Sequence, residues 1–481
     1  MMHYDFVVLG SGPAGRRAAV QAAKLGKSVL VIDNRARVGG VSVHTGTIPS
    51  KTLRETILNL TGWRERSFYG RSYRVKQDIS ADDLGNRLGK TLRHEVDVLE
   101  HQFARNGVKT MVGAGSFVDP HTIKITGATH GRWYEEMVEA GAILIAVGTR
   151  PHRPPDIPFD NQSILDSDDF IANPRVPRSL MVIGAGVIGL EYATIFSALD
   201  VPVTVIEPRE TMLDFMDQEI VDHMVHQLRD RGVQFRMGSA VDRVTLGADG
   251  HPICWLADGR QVRSATLLYA AGRMGSTDNL NLSACGLTAD SRGRLSVDGT
   301  TYQTAVPHIY AAGDVIGFPS LASTSMEQGR MAACHAFGQG KCSSGQHYPL
   351  GIYTVPEMSS VGHSEQEVRK RGIAYECGIA RFRETSRGHI MGIEAGLLKL
   401  IVALDTRKLL GVHIIGEGAT ELVHIGQAVI NLGGTIDYFI DNIFNFPTLA
   451  EAYKVAALDA WNRMRCASDA VIALPKRKAA K

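Results

Sequence analysis

Two glycine-rich turns have the residue types and spacing needed to hold the pyrophosphate of a dinucleotide. They are Gly10-Ser11-Gly12-Pro13-Ala14-Gly15 and Gly184-Ala185-Gly186-Val187-Ile188-Gly189. Each follows a predicted strand and precedes a predicted helix, where glycine lets the backbone approach phosphate groups at the helix N-terminus. Because the two turns share one layout, we predict two dinucleotide-binding folds in the chain.

An acidic residue ends the strand that follows each turn, and both acids stand at the same spacing from their first glycine. The acids are Asp33, which precedes Asn34, and Glu207. A carboxylate here can accept hydrogen bonds from ribose hydroxyls, so we predict that Asp33, Asn34 and Glu207 contact bound nucleotides. Arg209 lies close behind Glu207, and its guanidinium could pair with a nucleotide phosphate. The alternative for Arg209 is a solvated loop arginine.

A third stretch, from Gly39-Gly40 to Lys51, carries four hydroxyl side chains, two of which are Ser42 and Thr47. A hydroxyl cannot form a disulfide, and it holds its proton too tightly to give the thiolate that disulfide exchange needs. The cysteines lie elsewhere, form no CxxC pair and have no zinc spacing with histidine. We therefore predict neither a redox-active disulfide nor a metal site. The cysteines are Cys254, Cys285, Cys334, Cys342, Cys377 and Cys466.

The third stretch resembles the redox-active segment of the flavin-dependent pyridine nucleotide-disulfide reductases, which reads G-G-x-C-x-x-x-G-C-I-P-S-K. The run from His44 to Lys51 is similar to H-x-G-T-I-P-S-K, the form found in one branch of the family, the soluble pyridine nucleotide transhydrogenases. The run from Gly272 to Asp278 also matches that branch, whose pattern is G-R-x-G-x-T-D. Ser42 is a departure, because the branch usually retains the first cysteine.

The resemblance implies that the first fold binds FAD and that the second binds NAD(H) or NADP(H). Further cofactor contacts are then expected at Gly39 and Gly40, at Gly148 and Thr149, in a turn of the family's A-x-G-x-x-P form, and at Gly272. Asp314 is expected to bind the ribityl hydroxyls, although an acid at a strand end could be a plain turn former. A helix that begins near Ala322 would direct its N-terminal amides at the flavin.

The resemblance assigns chemical roles to Lys51 and Glu191. Lys51 would lie beside the flavin and stabilise charge on its reduced form, and Glu191 would pair with this lysine. The alternatives are a solvated lysine and a first-turn acid that the helix dipole favours. Phe446 occupies the place of the reductases' acid/base histidine and cannot carry a proton, so Glu451 lacks that partner.

The activity implied by the resemblance is a reversible hydride transfer from NADPH to NAD⁺ through FAD, by a ping-pong mechanism without a protein disulfide. Among enzymes, the alternative is an NAD(P)H diaphorase or oxidase that passes electrons to a quinone or to oxygen. The alternative from another class is a non-catalytic flavoprotein sensor. Ser42, Thr47 and Phe446 argue against dihydrolipoamide or mercuric reduction, because thiol chemistry has no groups to use.

Composition is that of a soluble globular protein. The 481 residues are 44% hydrophobic and 21% charged, and the net charge of +2 gives no reason to expect nucleic acid binding. No apolar run reaches the length of a membrane span, and the N-terminus has no signal-peptide pattern. We therefore predict a cytoplasmic protein without a membrane or nucleic acid partner, acting on nicotinamide nucleotides.

The predicted fold class is α/β. The resemblance implies two interleaved Rossmann-like three-layer domains and an α+β C-terminal dimerisation domain, in a homodimer or a higher homo-oligomer. In the last part we predict strands at Leu397–Leu404 and Leu410–Ile415 and a helix at His424–Leu432. The expected parts are an FAD-binding domain (1–151 and 272–346), an NAD(P)-binding domain (152–271), a dimerisation domain (347–465) and a basic flexible tail (466–481).

Overall fold

The computed structural model describes residues 1–129, 131–339 and 347–473. They form two compact units, each made of separate stretches of chain. Cys342 and the end of the predicted tail lie outside the described residues. The first unit contains Met1–Leu53, Ser80–Arg175 and the stretch that begins at Tyr269, and the second contains Arg54–Ile79, Val176–Leu268 and the C-terminal stretch.

The strands are distributed along the whole described chain. In chain order they are β1 (Met2–Leu9), β2 (Val29–Asp33), β3 (Lys109–Val112), β4 (Ala114–Phe117), β5 (Thr122–Thr129), β6 (Arg132–Ile145), β7 (Thr149–Pro151), β8 (Ile164–Leu165), β9 (Leu180–Ile183), β10 (Val203–Ile206), β11 (Gln234–Arg236), β12 (Val241–Leu246), β13 (Pro252–Leu256), β14 (Gln261–Arg263), β15 (Thr266–Tyr269), β16 (Arg273–Gly275), β17 (Ile309–Ala311), β18 (Leu350–Ile352), β19 (Met358–Gly362), β20 (Tyr375–Arg381), β21 (Leu397–Ala403) and β22 (Leu409–Ile415).

The α-helices connect and cover these strands. In chain order they are α1 (Pro13–Lys24), α2 (Gly40–His44), α3 (Thr47–Leu60), α4 (Arg66–Tyr69), α5 (Ala81–Arg105), α6 (Ser167–Ala172), α7 (Val187–Ser197), α8 (Gln218–Asp230), α9 (Ala322–Ala336), α10 (Glu365–Lys370), α11 (Ser386–Ile390), α12 (Ala419–Asn431), α13 (Asp437–Asp441) and α14 (Glu451–Ala473).

The first unit is built on a sheet with the strand order β3-β2-β1-β6-β5-β4, and β17 also pairs with β6. Strand β1 is parallel to β2 and β6, whereas β5 and β6 are antiparallel. Side chains alternate between the two faces of β1, so Phe6 and Val8 pack in one hydrophobic cluster and Val7 and Leu9 in another. Because both faces of β1 are buried, the sheet forms the middle of three layers.

Helices α1 and α9 pack closely on one face of this sheet. Ala18 and Ala22 of α1 lie in the same cluster as Ala332 of α9. Gly329 allows the close approach, because an added Cβ there would lie 2.1 Å from the backbone oxygen of Ala14. This packing fixes the N-terminal ends of both helices at the carboxyl edge of β1.

The second unit contains three sheets, and the smallest of them has the order β12-β13-β14. A mostly parallel sheet has the order β11-β10-β9-β15, and the C-terminal sheet has the order β18-β19-β22-β21-β20. All four strand pairs of the C-terminal sheet are antiparallel, and α12 and α14 cover it. Gly378 of β20 lies under α14, where an added Cβ would be 1.9 Å from the backbone oxygen of Ala456.

The α/β class and the separate α+β C-terminal part agree with the prediction from sequence. The predicted strands of the C-terminal sheet are present, but its helix α12 begins before His424, at Ala419. Helix α14 continues past residue 466, where we predicted a flexible tail, because the stretch up to Ala473 contains good helix formers. Within the described residues, no helix is both long enough and apolar enough to cross a bilayer.

Candidate functional site

The first glycine turn brings bare backbone to the start of α1. Gly10 has a φ of +102°, and an added Cβ there would lie 2.4 Å from the backbone oxygen of Ala146. At Gly15 an added Cβ would lie 1.9 Å from the backbone oxygen of Gly10. Gly12 is the N-cap of α1, and no described side chain caps that helix. The first amides of α1 therefore point at a surface that suits an anion.

A cavity of about 520 Å³ opens at this turn in the first unit. Its size falls within the range of small-molecule and cofactor pockets. Ser42 and Thr47, two of the four hydroxyl residues of the third stretch, also line it. The predicted FAD contacts in its wall are Gly10, Gly12, Asp33, Asn34, Gly40, Gly148, Thr149, Asp314 and Ala322.

Asp33 organises the turn from the end of β2. Its Oδ2 accepts hydrogen bonds from the backbone nitrogen of Ser11 at 2.7 Å and from Ser11 Oγ at 2.5 Å, and its Oδ1 accepts one from the backbone nitrogen of Arg35 at 2.9 Å. Ser11 Oγ in turn accepts a hydrogen bond from the backbone nitrogen of Gly39 at 2.9 Å. The carboxylate thus positions both glycine segments and keeps one acceptor site of Oδ1 for a ligand.

The predicted site residues that do not line the cavity have other places in the first unit. Gly15 packs α1 against the turn, and Gly39 has a φ of +125° as the N-cap of α2. The backbone oxygen of Gly272 accepts a hydrogen bond from the backbone nitrogen of His152 at 3.1 Å. Lys51 is the fifth residue of α3, and its Nζ lies 3.3 Å from Ser50 Oγ.

Asp314 is a half-buried carboxylate in the cavity wall. Burial raises its pKa, and Arg273 and Thr149 oppose that effect. Thr149 Oγ1 donates to Asp314 Oδ2 at 3.3 Å and accepts from Arg273 Nε at 2.8 Å. Arg273 Nη2 also donates to the backbone oxygen of Thr149 at 2.8 Å. The threonine therefore links the carboxylate to a guanidinium.

Asp168 is a second acid of this wall, and the sequence did not reveal it. Its Oδ2 accepts a hydrogen bond from Thr45 Oγ1 at 3.0 Å, and its Oδ1 lies 3.9 Å from Arg273 Nη1. Burial raises its pKa, while Arg273 lowers it. The sequence signal at Asp168 was that of a helix start, because Asp166 forms a capping box with Asp169 there.

The position that holds a disulfide in the reductases holds hydroxyl groups in this chain. Ser42 Oγ donates to the backbone oxygen of Gly39 at 3.0 Å. The cysteines that the structure describes with their side chains form no disulfide; they are Cys254, Cys285, Cys334 and Cys377. Burial raises the pKa of Cys254 to about 11 and that of Cys377 to about 12. Neither thiol gives appreciable thiolate near neutral pH.

The second glycine turn, in the second unit, repeats the geometry of the first. Gly184 has a φ of +104°, and an added Cβ at Gly189 would lie 2.0 Å from the backbone oxygen of Gly184. Gly186 is the N-cap of α7, which likewise has no side-chain cap among the described residues. Two backbone cradles of one design therefore exist, one in each unit.

Glu207, at the end of β10, is buried, with 3% of its surface exposed. Its Oε2 accepts a hydrogen bond from the backbone nitrogen of Ala185 at 2.8 Å, which ties it to the second turn. Arg209 donates Nε to Oε1 at 2.7 Å and Nη2 to Oε2 at 3.2 Å. Burial raises the pKa of Glu207, but the bonds from Arg209 and Ala185 outweigh it and hold the pKa below its usual range.

The other residues that the sequence singled out, Glu191, Phe446 and Glu451, lie in the second unit. Glu191 is buried in α7, and its Oε1 accepts a hydrogen bond from the backbone nitrogen of Tyr353 at 3.1 Å. Phe446 is 69% exposed. Glu451 begins α14, and among the described atoms its buried Oε2 has no hydrogen-bond partner. No cluster of three or more potential metal ligands occurs in the described part of the chain.

Comparisons with known proteins agree with this geometry. The family model for pyridine nucleotide-disulphide oxidoreductases matches residues 4–329, and the model for the dimerisation domain of that family matches residues 348–457. The soluble pyridine nucleotide transhydrogenase of Mycobacterium bovis is 51% identical over 465 residues, which cover 97% of this chain and 98% of the relative. The transhydrogenase of a Marinomonas species is 42% identical, covering 96% of this chain and 99% of the relative.

Solved structures resemble the chain over nearly its whole length. LpdA from Mycobacterium tuberculosis has a TM-score of 0.85 at 26% identity, covering 95% of this chain and 99% of that one. The HOCl-induced flavoprotein disulfide reductase RclA from Escherichia coli has a TM-score of 0.83 at 25% identity, with the same coverage. The chain therefore belongs to the pyridine nucleotide-disulphide oxidoreductases, and within them to the soluble pyridine nucleotide transhydrogenases.

Proposed function

We propose that this flavoprotein oxidoreductase transfers hydride reversibly from NADPH to NAD⁺ by a ping-pong mechanism, without a redox-active disulfide. The family uses FAD and NAD(P)(H), and FAD supplies the two-electron redox chemistry when bound. The observation that carries the proposal is the cavity of the first unit, whose wall has hydroxyl side chains, Ser42 and Thr47, at the position of the reductases' cysteines.

The residues of the first unit fit FAD. The amides at the start of α1 and the bare backbone at Gly10 and Gly12 suit a pyrophosphate. Asp33 keeps an acceptor site on Oδ1 for a ribose hydroxyl, and the half-buried carboxylate of Asp314 suits the ribityl hydroxyls. The first turn of α9 at Ala322 adds a positive helix end to the same wall.

The proposed nicotinamide nucleotide site is the second glycine turn with Glu207 and Arg209. Gly184, Gly186 and Gly189 bring bare backbone to the N-terminus of α7, as the first turn does for α1. The carboxylate of Glu207 suits a ribose diol, and the guanidinium of Arg209 suits a 2′-phosphate. A transhydrogenase must accept both nucleotides, and this pair offers one group for each.

The roles of Lys51 and Glu191 rest on the family resemblance. Lys51 is the proposed cation that stabilises negative charge on the reduced flavin, and Glu191 is the proposed acid that positions it. Hydride transfer between two nucleotides requires no general acid at the protein, which is consistent with Phe446 in place of a histidine. The match of residues 348–457 to a dimerisation domain supports a homodimer, and we propose a cytoplasmic location.

The proposed domain boundaries follow the sequence analysis: FAD binding at 1–151 and 272–346, nucleotide binding at 152–271 and dimerisation at 347–465. Limited proteolysis of the FAD-loaded dimer tests them, because cleavage at domain boundaries falls in exposed connections. Fragments that begin or end inside the predicted domains, rather than near 151, 271 or 346, would contradict these boundaries.

A steady-state assay tests the activity. The FAD-loaded protein is mixed with NADPH and a thionicotinamide analogue of NAD⁺, whose reduction has its own absorbance band. We expect parallel double-reciprocal plots when both nucleotides are varied, because one product leaves before the second substrate binds. Intersecting plots contradict the ping-pong mechanism. Faster NADPH oxidation by a quinone or by oxygen than by the analogue identifies a diaphorase or oxidase, and the absence of flavin reduction by NADPH identifies a sensor.

A further inference from the structure

Every acceptor site of the Glu207 carboxylate is filled by the protein itself. Oε1 accepts from the backbone nitrogen of Arg209 at 3.2 Å and from Arg209 Nε at 2.7 Å. Oε2 accepts from the backbone nitrogen of Ala185 at 2.8 Å and from Arg209 Nη2 at 3.2 Å. Because a carboxylate has about four acceptor sites, a ribose diol finds none free on Glu207 in this arrangement.

Only the arginine side chain can leave this arrangement without disturbing the fold. The backbone oxygens of Glu207 and Arg209 accept hydrogen bonds at 3.0 Å from the backbone nitrogens of Ser239 and Gly238. The side chain of Arg209 is 52% exposed, whereas that of Glu207 is 5% exposed. If the arginine side chain moves away, each carboxylate oxygen keeps one backbone donor and gains one free acceptor site. Two free sites match the two hydroxyls of a ribose diol.

A second acid stands on the solvent side of the arginine. Asp214 Oδ2 lies 3.7 Å from Arg209 Nη1, and Thr211 Oγ1 donates to Asp214 Oδ1 at 2.7 Å, which holds that carboxylate in place. Asp214 is 59% exposed. Arg209 therefore has a second partner of its own when it leaves Glu207.

We propose that Arg209 competes with the nucleotide ribose for Glu207, so that NAD(H) must displace the arginine whereas the 2′-phosphate of NADP(H) draws it away. The inference rests on the proposed nucleotide site and explains how that one site serves both nucleotides. A phosphate dianion and a guanidinium form a bidentate pair, so NADP(H) gains a contact at the moment when Arg209 leaves Glu207. NAD(H) gains no such contact and meets only the competition.

The inference gives the Arg209→Ala variant opposite effects on the two nucleotides. An arginine that only reads the phosphate would leave NAD(H) affinity unchanged, and an arginine that only holds the fold would weaken both. Under competition, NAD(H) binds more tightly once the arginine is gone. Because this ion pair is half exposed, we expect a gain of about two- to fivefold. For NADP(H) we expect a loss of about 10- to 150-fold, the scale of hydrogen bonds to a charged group.

Fragment binding measures these effects separately from catalysis. ADP-ribose and its 2′-phosphorylated form are titrated calorimetrically into FAD-loaded wild type, Arg209→Ala and Arg209→Lys. The lysine variant keeps the charge but loses the two-pronged contact with Glu207, so ADP-ribose should bind it more tightly than wild type. Raising the salt concentration should reduce the difference in ADP-ribose affinity between wild type and Arg209→Ala, because salt screens a half-exposed ion pair.

Arg260 supplies a matched control in the same unit. It also follows an acid by two positions, and it donates its backbone nitrogen to Asp258 Oδ1 at 3.0 Å and Nε to Asp258 Oδ2 at 2.8 Å. Arg260→Ala should bind both fragments as wild type does. ADP-ribose affinity that is unchanged or lower in Arg209→Ala, with hydride transfer between nucleotides intact in wild type, overturns the competition alone. Wild type that binds neither fragment overturns both the competition and the proposed site.

Discussion

Thr45 Oγ1 donates a hydrogen bond of 3.0 Å to Asp168 Oδ2, and this bond ties the third stretch of the sequence to the first turn of α6. Thr45 lies between Ser42 and Thr47, where the reductases of the family carry a disulfide. In this chain the contact with Asp168 is a noncovalent restraint on the same segment. Because Ser42 and Thr47 both line the cavity, the restraint also shapes the wall of the proposed FAD site.

Removing this hydrogen bond should weaken FAD retention. Thr45→Val keeps the side-chain shape but removes a hydrogen bond to a half-buried carboxylate, which costs about 1.5–3 kcal/mol. Thr45→Ser retains the hydroxyl and is the matched control. Release of flavin fluorescence on heating reports the effect, and we expect a lower release temperature for Thr45→Val than for the serine variant. Equal release temperatures for wild type, Thr45→Val and Thr45→Ser would show that the bond does not restrain the segment.

Asp314 should make the stability of the flavin-free protein depend on pH. Burial raises the pKa of Asp314 in the folded state above its unfolded value of about 3.9. The folded protein therefore binds the proton more tightly, and the stabilisation that this provides is lost as the pH rises through the folded-state pKa. Asp314→Asn has no proton to lose, so its stability relative to wild type should increase as the pH rises above about 4.

Thermal unfolding of both proteins over a pH series measures this difference. Asp314→Asn should bind FAD more weakly than wild type, because the asparagine offers the ribityl hydroxyls a neutral acceptor in place of a carboxylate. A stability difference between wild type and Asp314→Asn that stays constant across the series would contradict the raised pKa of Asp314 in the folded state.

Local sequence patterns predicted the parts of the site that are made locally. Asp33 and Glu207 each end a strand that follows a glycine turn, so strand length alone brings the carboxylate back to that turn. The glycine positions could be predicted for the same reason, because each glycine is required by the backbone angles of a turn that is only a few residues long. These contacts needed no knowledge of how distant segments meet.

Contacts between segments that are distant in the sequence could not be predicted from it. Asp168 and Thr45 are 123 positions apart in the sequence, and no periodicity marks either residue as a partner of the other. Lys399 is a similar case in the second unit, where it lies inside the apolar strand β21 and is fully buried. Its Nζ is 3.0 Å from Asp217 Oδ1 and 2.5 Å from Glu365 Oε2. The long helix α5 was also missed as one element, because its polar residues mask a narrow buried stripe.

Lys51 should matter for the rate of flavin reduction more than for nucleotide binding. Lys51 is the fifth residue of α3, and the proposed partner of its positive charge is the negative charge on the reduced flavin. Lys51→Ala should slow flavin bleaching by NADPH about tenfold or more, as expected when a preorganised stabilising charge is removed. Lys51→Arg keeps the charge and should retain most of the rate.

Stopped-flow mixing of each variant with NADPH separates the two quantities, because the plateau rate reports reduction and the half-saturating concentration reports binding. A plateau rate in Lys51→Ala equal to that of wild type would leave the lysine with a structural role only. A change confined to half-saturation would place it in nucleotide binding.

Restoring the two cysteines should not by itself create a disulfide reductase. Ser42→Cys/Thr47→Cys supplies the thiols, but Phe446 still provides no group that can take or give a proton at the dithiol. Glu451, with a buried Oε2 that lacks a partner among the described atoms, is the acid that the family resemblance pairs with a histidine at 446. We therefore expect negligible lipoamide reduction by the double variant and a rise of about 10²- to 10⁴-fold when Phe446→His is added, the usual contribution of a general acid or base.

Phe446→His in the wild-type background, with its hydroxyl pair intact, is the control and should reduce no lipoamide. Lipoamide turnover by the double variant at a rate close to its hydride transfer between nucleotides would show that the missing histidine is not what separates this chain from the reductases.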